Sequence, residues 1–396
     1  MNKDILNTEV QYFINENLNT IAASILLKKP PFEYLDTRDI IEQIEAKKRC
    51  FKKLPSWYHT PGIYYPNKLN IEQTSSEITA NYKAALISGN SIIDITGGFG
   101  VDCLAFSKHF DQVTHCEINE DLSKIVAHNY TQLNANIKTI ATDGLAYLKA
   151  TNETFDWIYI DPSRRHDSKG KVFFLNDCMP NVPEHLSFLF SKSKHILVKT
   201  SPLLDITIGY NELKHVKNLH IVAVNNEVKE LLWILERDAQ TADFSICTTN
   251  ITKTHTETFN FLPEDESRFE AEYHTPLHFI YEPNAAILKS GGFNAVANQL
   301  QIYKLHKHSH LYTSEQYIEF PGRSFKVLKT LDYNKKTLQK ENINKANITT
   351  RNFPETVEQL RKKLKIKDGG DLYLFFTTDY NSKKLVLICE KIVAKP

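Results

Sequence analysis

The sequence predicts an α/β fold: a mainly parallel sheet covered by helices, preceded by a helical segment and followed by an α+β module. Three observations predict it. Five short apolar runs, Ile92–Ile95, Gln112–Glu117, Ile137–Ala141, Trp157–Ile160 and His195–Lys199, alternate with amphipathic runs of helical length. That alternation is the pattern of a sheet buried on both faces. The first run leads straight into Asp94-Ile95-Thr96-Gly97-Gly98-Phe99-Gly100, a turn whose glycines let a ligand approach bare backbone. On either side of residues 73–275 the texture changes, to helical before and to mixed after.

Taken in order, Val10 to Leu27 has helical spacing, and Pro30-Pro31 ends it. Thr37 caps a second helix that runs to about Lys53. Leu54 to Asn70 is rich in Pro, Gly and Tyr and reads as a connector. Gln73-Thr74-Ser75-Ser76-Glu77 opens the helix that feeds the first strand. Within the alternating region the helices fall at Val101–Phe110, Glu120–Leu133, Gly144–Ala150 and Val182–Ser191. Leu219–Val224 and Lys229–Leu235, joined by Asn225-Asn226, read as a hairpin at the sheet's edge. One more strand pair and a charged loop, Pro263 to Glu272, follow. The last part carries a strand from Pro276, helices at Ala285–Ser290 and Phe293–Leu300, strands at 316–320 and 324–330, a helix at 354–364, and strands at 372–377 and 384–390. The expected domains are 1–72, 73–275, 276–320 and 321–396.

At 396 residues the chain has room for two or three domains. No apolar run reaches the roughly 18–20 residues of a membrane span, and the start of the chain lacks a leader pattern, so a cytoplasmic protein is expected. The six cysteines contain no C-x-x-C pair. His306, His308 and His310 alternate, but Lys304 and Lys307 beside them repel cations, and no metal is expected. Net charge is only +1, yet residues 301–396 hold 19 Lys and Arg against 10 Asp and Glu. With the basic run Arg361-Lys362-Lys363-Leu364-Lys365-Ile366-Lys367, this points to a polyanionic partner, nucleic acid first.

Ligands of α/β sheets sit beyond the C-terminal ends of the strands. Four of those ends carry polar or glycine residues here. Asp94 and the glycine turn close the first, and Glu117, 19 positions after Gly98, closes the second. Asp143-Gly144 follows the third strand, and Asp161-Pro162-Ser163-Arg164-Arg165 follows the fourth. A single Asp at such a place is ordinarily a helix cap or a turn residue. Four strand ends of this kind within one stretch of chain point to a shared ligand.

This set resembles the class I S-adenosylmethionine-dependent methyltransferases, over roughly residues 75–235, and so implies a Rossmann-like domain. The resemblance implies cofactor contacts from Asp94, Thr96, Gly97, Gly98 and Gly100, ribose contacts from Glu117 with Ile118 beside it, and adenine contacts from Asp143-Gly144. Thr96 stands where the family's first glycine usually stands, and its hydroxyl is placed to bond the cofactor. Asp161-Pro162-Ser163-Arg164 is similar to the Asp/Asn-Pro-Pro-Tyr/Phe motif of enzymes that methylate amino groups. By that likeness Asp161 also borders the cofactor and, with Pro162, Ser163 and Arg164, forms the catalytic loop. Ser163 and Arg164 replace the second proline and the aromatic, so an Arg takes the place of the stacking ring. Arg164, Arg165, Lys199, Arg361, Lys362 and Lys363 are the expected substrate contacts. No cysteine stands at the fourth strand end or just after the fifth, and Cys178 falls in a loop, so thiolate-dependent carbon methylation is not expected.

Further along, Arg351-Asn352-Phe353-Pro354 and Lys367-Asp368-Gly369-Gly370-Asp371, taken with the Gln73 and Asp161 segments, resemble a bacterial methyltransferase group with a C-terminal THUMP-like domain. That resemblance implies an RNA substrate, tRNA or rRNA, methylated at a base nitrogen. Two other readings stay open: an enzyme acting on a small molecule or a protein amine, and a non-catalytic RNA-binding scaffold. The oligomeric state is not legible.

Overall fold

The structure, a computed structural model, describes residues 1–164, 174–240 and 244–393. The chain forms two compact units: Met1–Lys217 with Leu232–Thr241, and Asn218–Leu231 with Ala242–Pro396.

The first unit opens with six helices: α1 Thr8–Glu16, α2 Ala22–Leu26, α3 Thr37–Lys53, α4 Pro55–His59, α5 Lys68–Gln73 and α6 Glu77–Leu86. Buried Ile5, Val10, Ile14, Ile25, Ile40 and Ile44 bind the first three together. The single stretch expected over 10–27 is two helices. Asn17 ends α1 by donating its side-chain amide to Phe13 O at 2.9 Å. Asp36, one residue before the expected cap, starts α3 by accepting from Arg38 N at 2.8 Å. The expected connector 54–70 holds α4, which Pro55 can begin because a first-turn N–H needs no partner.

The sheet of this unit follows: β1 Ser91–Asp94, α7 Val101–Phe106, β2 Gln112–Cys116, α8 Glu120–Gln132, β3 Lys138–Ile140, α9 Gly144–Ala150 and β4 Phe155–Ile160. After it come β5 Ser163–Arg164, β6 Cys178–Met179, α10 Val182–Lys192, β7 Ser193–Thr200 and α11 Ile206–Glu212. Strands β7-β4-β1-β2-β3 lie side by side in that order, all parallel. Helices between parallel neighbours leave every C-terminal strand end on one rim. Ile92, Ile93, Ile158, Ile160, Leu197 and Val198 are buried in it. Cys178, expected in a loop, stands in β6, where it is buried and its backbone pairs with Arg164.

The hairpin of β8 Val216–Val224 and β9 Glu227–Glu236, whose residues are divided between the two units, does not mark an edge. Strand β10 Ser245–Ile251 runs parallel beside β8, and β11 Thr256–Phe261 runs antiparallel beside β10. The expected charged loop is a short helix, α12 Pro263–Arg268, closed by Asp265 accepting from Leu262 N at 3.2 Å. A second sheet then forms from β12 Phe279–Pro283, β13 Tyr303–Lys304, β14 Tyr312–Ser314, β15 Gly322–Asp332, β16 Asn347–Arg351, β17 Leu372–Thr378 and β18 Lys384–Lys391. Its order is β13-β14-β12-β15-β18-β17-β16. Helices α13 Ala285–Ser290, α14 Phe293–Gln299, α15 Lys335–Lys340 and α16 Val357–Leu364 complete this α+β module. The strand expected at 316–320 is absent; the segment that pairs with β12 is β14, which ends at Ser314, while Ile318 N donates to the Tyr281 hydroxyl at 3.0 Å. Strand β16 went unread because Asn347-Ile348-Thr349-Thr350-Arg351 has one apolar residue.

Candidate functional site

Each of the four strand ends is tied to its neighbour by a specific contact. Glu117 Oε2 accepts from Gly98 N at 2.9 Å, joining the ends of β2 and β1. Its other oxygen accepts from Asn119 N at 2.7 Å, so two backbone N–H groups fix the carboxylate's orientation. Gly144 packs so closely on the first strand end that a Cβ there would lie 2.4 Å from Ile95 O. Thr96 Oγ1 donates to Asp94 Oδ1 at 3.0 Å and accepts from Asp161 N at 2.8 Å, joining β1 to β4. The Lys199 ammonium, at the end of β7, forms an ion pair with Asp161 Oδ2. The acids and glycines read from sequence thus gather on one rim.

Their roles within the rim differ. Gly97 is glycine because buried His115 fills the space behind it, with Nε2 only 2.3 Å from where a Cβ would stand. Gly100 is glycine because its φ is +78° and the Tyr130 hydroxyl would lie 2.1 Å from a Cβ. Gly98, at φ +56°, has nothing closer than Thr96 O at 3.8 Å and is the glycine that faces open space. The Thr96 hydroxyl, expected to reach a cofactor, is engaged inside the turn. Ile118 is 70% exposed directly after Glu117, an apolar surface at the rim that no packing explains. Asp143 caps α9, accepting from Ala146 N at 2.8 Å, and remains exposed. Pro162 is buried and Ser163 exposed, while Arg164 contributes its backbone to β5. Arg165 lies outside the described residues.

Beneath the turn lies a buried polar network that sequence reading missed. Asp102 accepts from Ser75 Oγ at 2.8 Å and Tyr159 Oη at 2.9 Å and pairs with the fully buried Lys83 at 3.3 Å. Burial alone would raise the Asp102 carboxyl, yet Lys83, Lys199 and the two hydroxyls hold it below the usual range. Burial pushes Asp94 up to about 7 against the hydrogen bonds from Thr96. Burial also pulls His115 down to about 4, keeping a neutral ring whose Nε2 lies 3.3 Å from Gly98 O. Ser75, one of the quoted Gln73–Glu77 residues, is buried, and no local pattern in the sequence marks it so. The nearby thiols are inert: burial raises Cys103 well above its usual value and Cys116 to about 12.

In the second unit the expected basic contacts separate. Arg361 donates to Ala346 O at 3.2 Å and pairs with Asp368. Lys363 pairs with Glu355 at 3.0 Å and donates to the Tyr333 hydroxyl at 2.8 Å. Lys362 is exposed, as are Lys365 and Lys367. His306 Nδ1 accepts from His308 N at 3.0 Å and lies 2.9 Å from Asn352 Nδ2. Among the described residues no three His, Cys, Asp or Glu side chains are grouped as metal ligands. No helix among them is long and apolar enough to cross a membrane.

A five-stranded parallel core with a glycine turn, a carboxylate after β2 and Asp-Pro after β4 defines the class I methyltransferase fold. The comparisons agree. A crystal structure described as a "putative methyltransferase from Porphyromonas gingivalis W83" is 32% identical, with a TM-score of 0.90 over 99% of both chains. The chain belongs to that protein's family. Residues 322–391 match the model described as THUMP domain-like, and residues 279–321 match a ferredoxin-like domain. More distant are an rRNA methylase from Streptococcus thermophilus (14% identity, 41% of this chain and 95% of that one, TM-score 0.30) and a T. thermophilus 16S rRNA N2 G1207 methyltransferase in complex with AdoMet and guanosine (11%, 45% and 46%, 0.32). No curated protein matches the chain by sequence.

Proposed function

We propose that this protein is an S-adenosylmethionine-dependent methyltransferase that modifies a base nitrogen in tRNA or rRNA. The observation that carries the reading is the gathering of Gly98, Glu117, Ile118, Asp143 and Asp161 on one rim, held there by the contacts of Thr96, Gly144 and Lys199. Those residues suit the cofactor. Glu117, fixed by two backbone N–H groups, keeps lone pairs for two ribose hydroxyls, and bonds to a charged acceptor are worth roughly 1.5–3 kcal/mol. Ile118 offers an apolar face to a base, Asp143 an acceptor for an amino group, and Gly98 room for close approach. When bound, S-adenosylmethionine supplies an electrophilic methyl group.

The chain's own part is positioning. Asp161, its backbone anchored on Thr96, orients the acceptor N–H so that the nitrogen lone pair faces the methyl carbon, and accepts the released proton or passes it to solvent. Support for RNA comes from the THUMP domain-like match and from the exposed Lys362, Lys365 and Lys367 on a basic segment. Domain limits of 73–275 for the catalytic part and 321–396 for the RNA reader belong to this proposal.

Two experiments test it. Calorimetry with S-adenosylmethionine and its demethylated product should register binding; no heat from either rejects the enzyme reading. Deleting the gene and analysing nucleosides of total tRNA and rRNA by mass spectrometry should reveal one methylated species that vanishes.

A further inference from the structure

Lys199 holds a place that amino-group methylation would leave for its substrate. It sits at the end of β7, its side chain only 13% exposed, and its ammonium pairs with Asp161 Oδ2. Asp161 is 34% exposed at the same place, and among the described residues its Oδ1 takes no hydrogen bond. Among the described residues, then, one oxygen of this partly exposed carboxylate is engaged and the other is not. The charge of Lys199 also helps to keep the Asp102 carboxyl below the usual range.

We propose that Lys199 is a positioning and selectivity residue: it aims the second oxygen of Asp161 at a neutral amino group and turns away ammonium and guanidinium groups. This rests on the methyltransferase reading and narrows its substrate class. Transfer forms one N–C bond and breaks one S–C bond, with that electron pair left on sulfur, and frees one proton from nitrogen. The exocyclic amine of a base carries no charge and keeps its lone pair. A lysine side chain arrives as an ammonium without one, and beside Lys199 it meets a like charge on a carboxylate already neutralised. The same geometry disfavours arginine. The surviving substrate class is an uncharged nitrogen, such as the amine on a heterocycle, not a lysine or arginine side chain.

The test uses the full-length protein, labelled S-adenosylmethionine, RNA from a strain lacking the gene, and polylysine as the cationic amine. Wild type should label RNA and leave polylysine at background. Lys199→Gln should lower kcat on RNA at least tenfold, with the calorimetric Kd for the cofactor unchanged within twofold. Lys199→Arg should recover a large part of that loss, which a merely structural role for the stem would not predict. Labelling of polylysine as fast as RNA overturns the proposal. So does a Lys199→Gln enzyme within twofold of wild type, or an Arg variant no better than the Gln variant. Absence of cofactor heat with wild type instead rejects the underlying enzyme reading, a distinct outcome.

Discussion

The rim of the first unit and the basic helix of the second treat charge in opposite ways. On the rim, charged groups are fixed by the fold and still turn a face outward: Glu117 is held by two backbone N–H groups, and Asp161 by Thr96 and Lys199. On α16 the fold consumes the charges of Arg361 and Lys363. Arg361 closes the helix end and pairs with Asp368, and Lys363 is spent on Glu355 and Tyr333. The difference teaches that a charged residue advertises a ligand only when its intramolecular partners leave an atom over. Both regions read alike in sequence, as runs of polar residues at element ends.

That contrast can be broken most forcefully at Glu117. Glu117→Ala removes the acceptor for two hydroxyls, and cofactor affinity by calorimetry should fall at least tenfold, from bonds of roughly 1.5–3 kcal/mol each. An unchanged Kd would mean that the carboxylate serves only the Gly98 turn. Next comes the glycine pair. Gly97→Ala drives a methyl into His115 and should cost about 1–3 kcal/mol in denaturant unfolding. Gly98→Ala meets open space, so it should cost only about 1 kcal/mol for its positive φ yet weaken cofactor binding more than Gly97→Ala does.

A subtler probe is pH. His115 has its pKa lowered to about 4, so an unfolded chain takes up its proton below about 6.5 while the fold refuses it, and stability is lost as pH falls from 6.5 to 4. Asp94, raised to about 7, acts in reverse: the unfolded carboxyl ionises first, so stability is lost as pH rises from about 4 to 7. His115→Gln should therefore make stability fall more steeply with rising pH between 4 and 6.5 than in wild type. The smallest effects are expected on α16. Lys362→Ala should leave stability within about 0.5 kcal/mol and lower the salt slope of RNA binding by about 0.7–0.9, whereas Arg361→Ala should cost about 1 kcal/mol of stability.

Much of this was legible in the chain. The parallel sheet follows from strand and helix alternation, and the rim acids follow because each closes an apolar run. What stayed hidden has a common cause. The Lys199–Asp161 pair spans 38 residues, and the Ser75–Asp102 bond spans 27, so neither leaves a local pattern. Lys83, on α6, is fully buried and paired with Asp102, 19 positions further along the chain. At Gly97 and Gly100 the sequence records a missing side chain without recording that His115 and Tyr130 fill the space. Nothing in the hairpin β8–β9 announces that β10 will run beside it, so the sequence alone places it at an edge.

One oxygen atom has a wider consequence. Since the Thr96 hydroxyl spans Asp94 and the backbone of Asp161, the spacing between the glycine turn and the Asp161 loop is written in a single side chain. A valine there would keep the volume and sever the tie, and a serine would keep the tie. The separation between the glycine turn and the Asp161 loop is thus gauged by a molecular spacer, one that a glycine at this place could never supply.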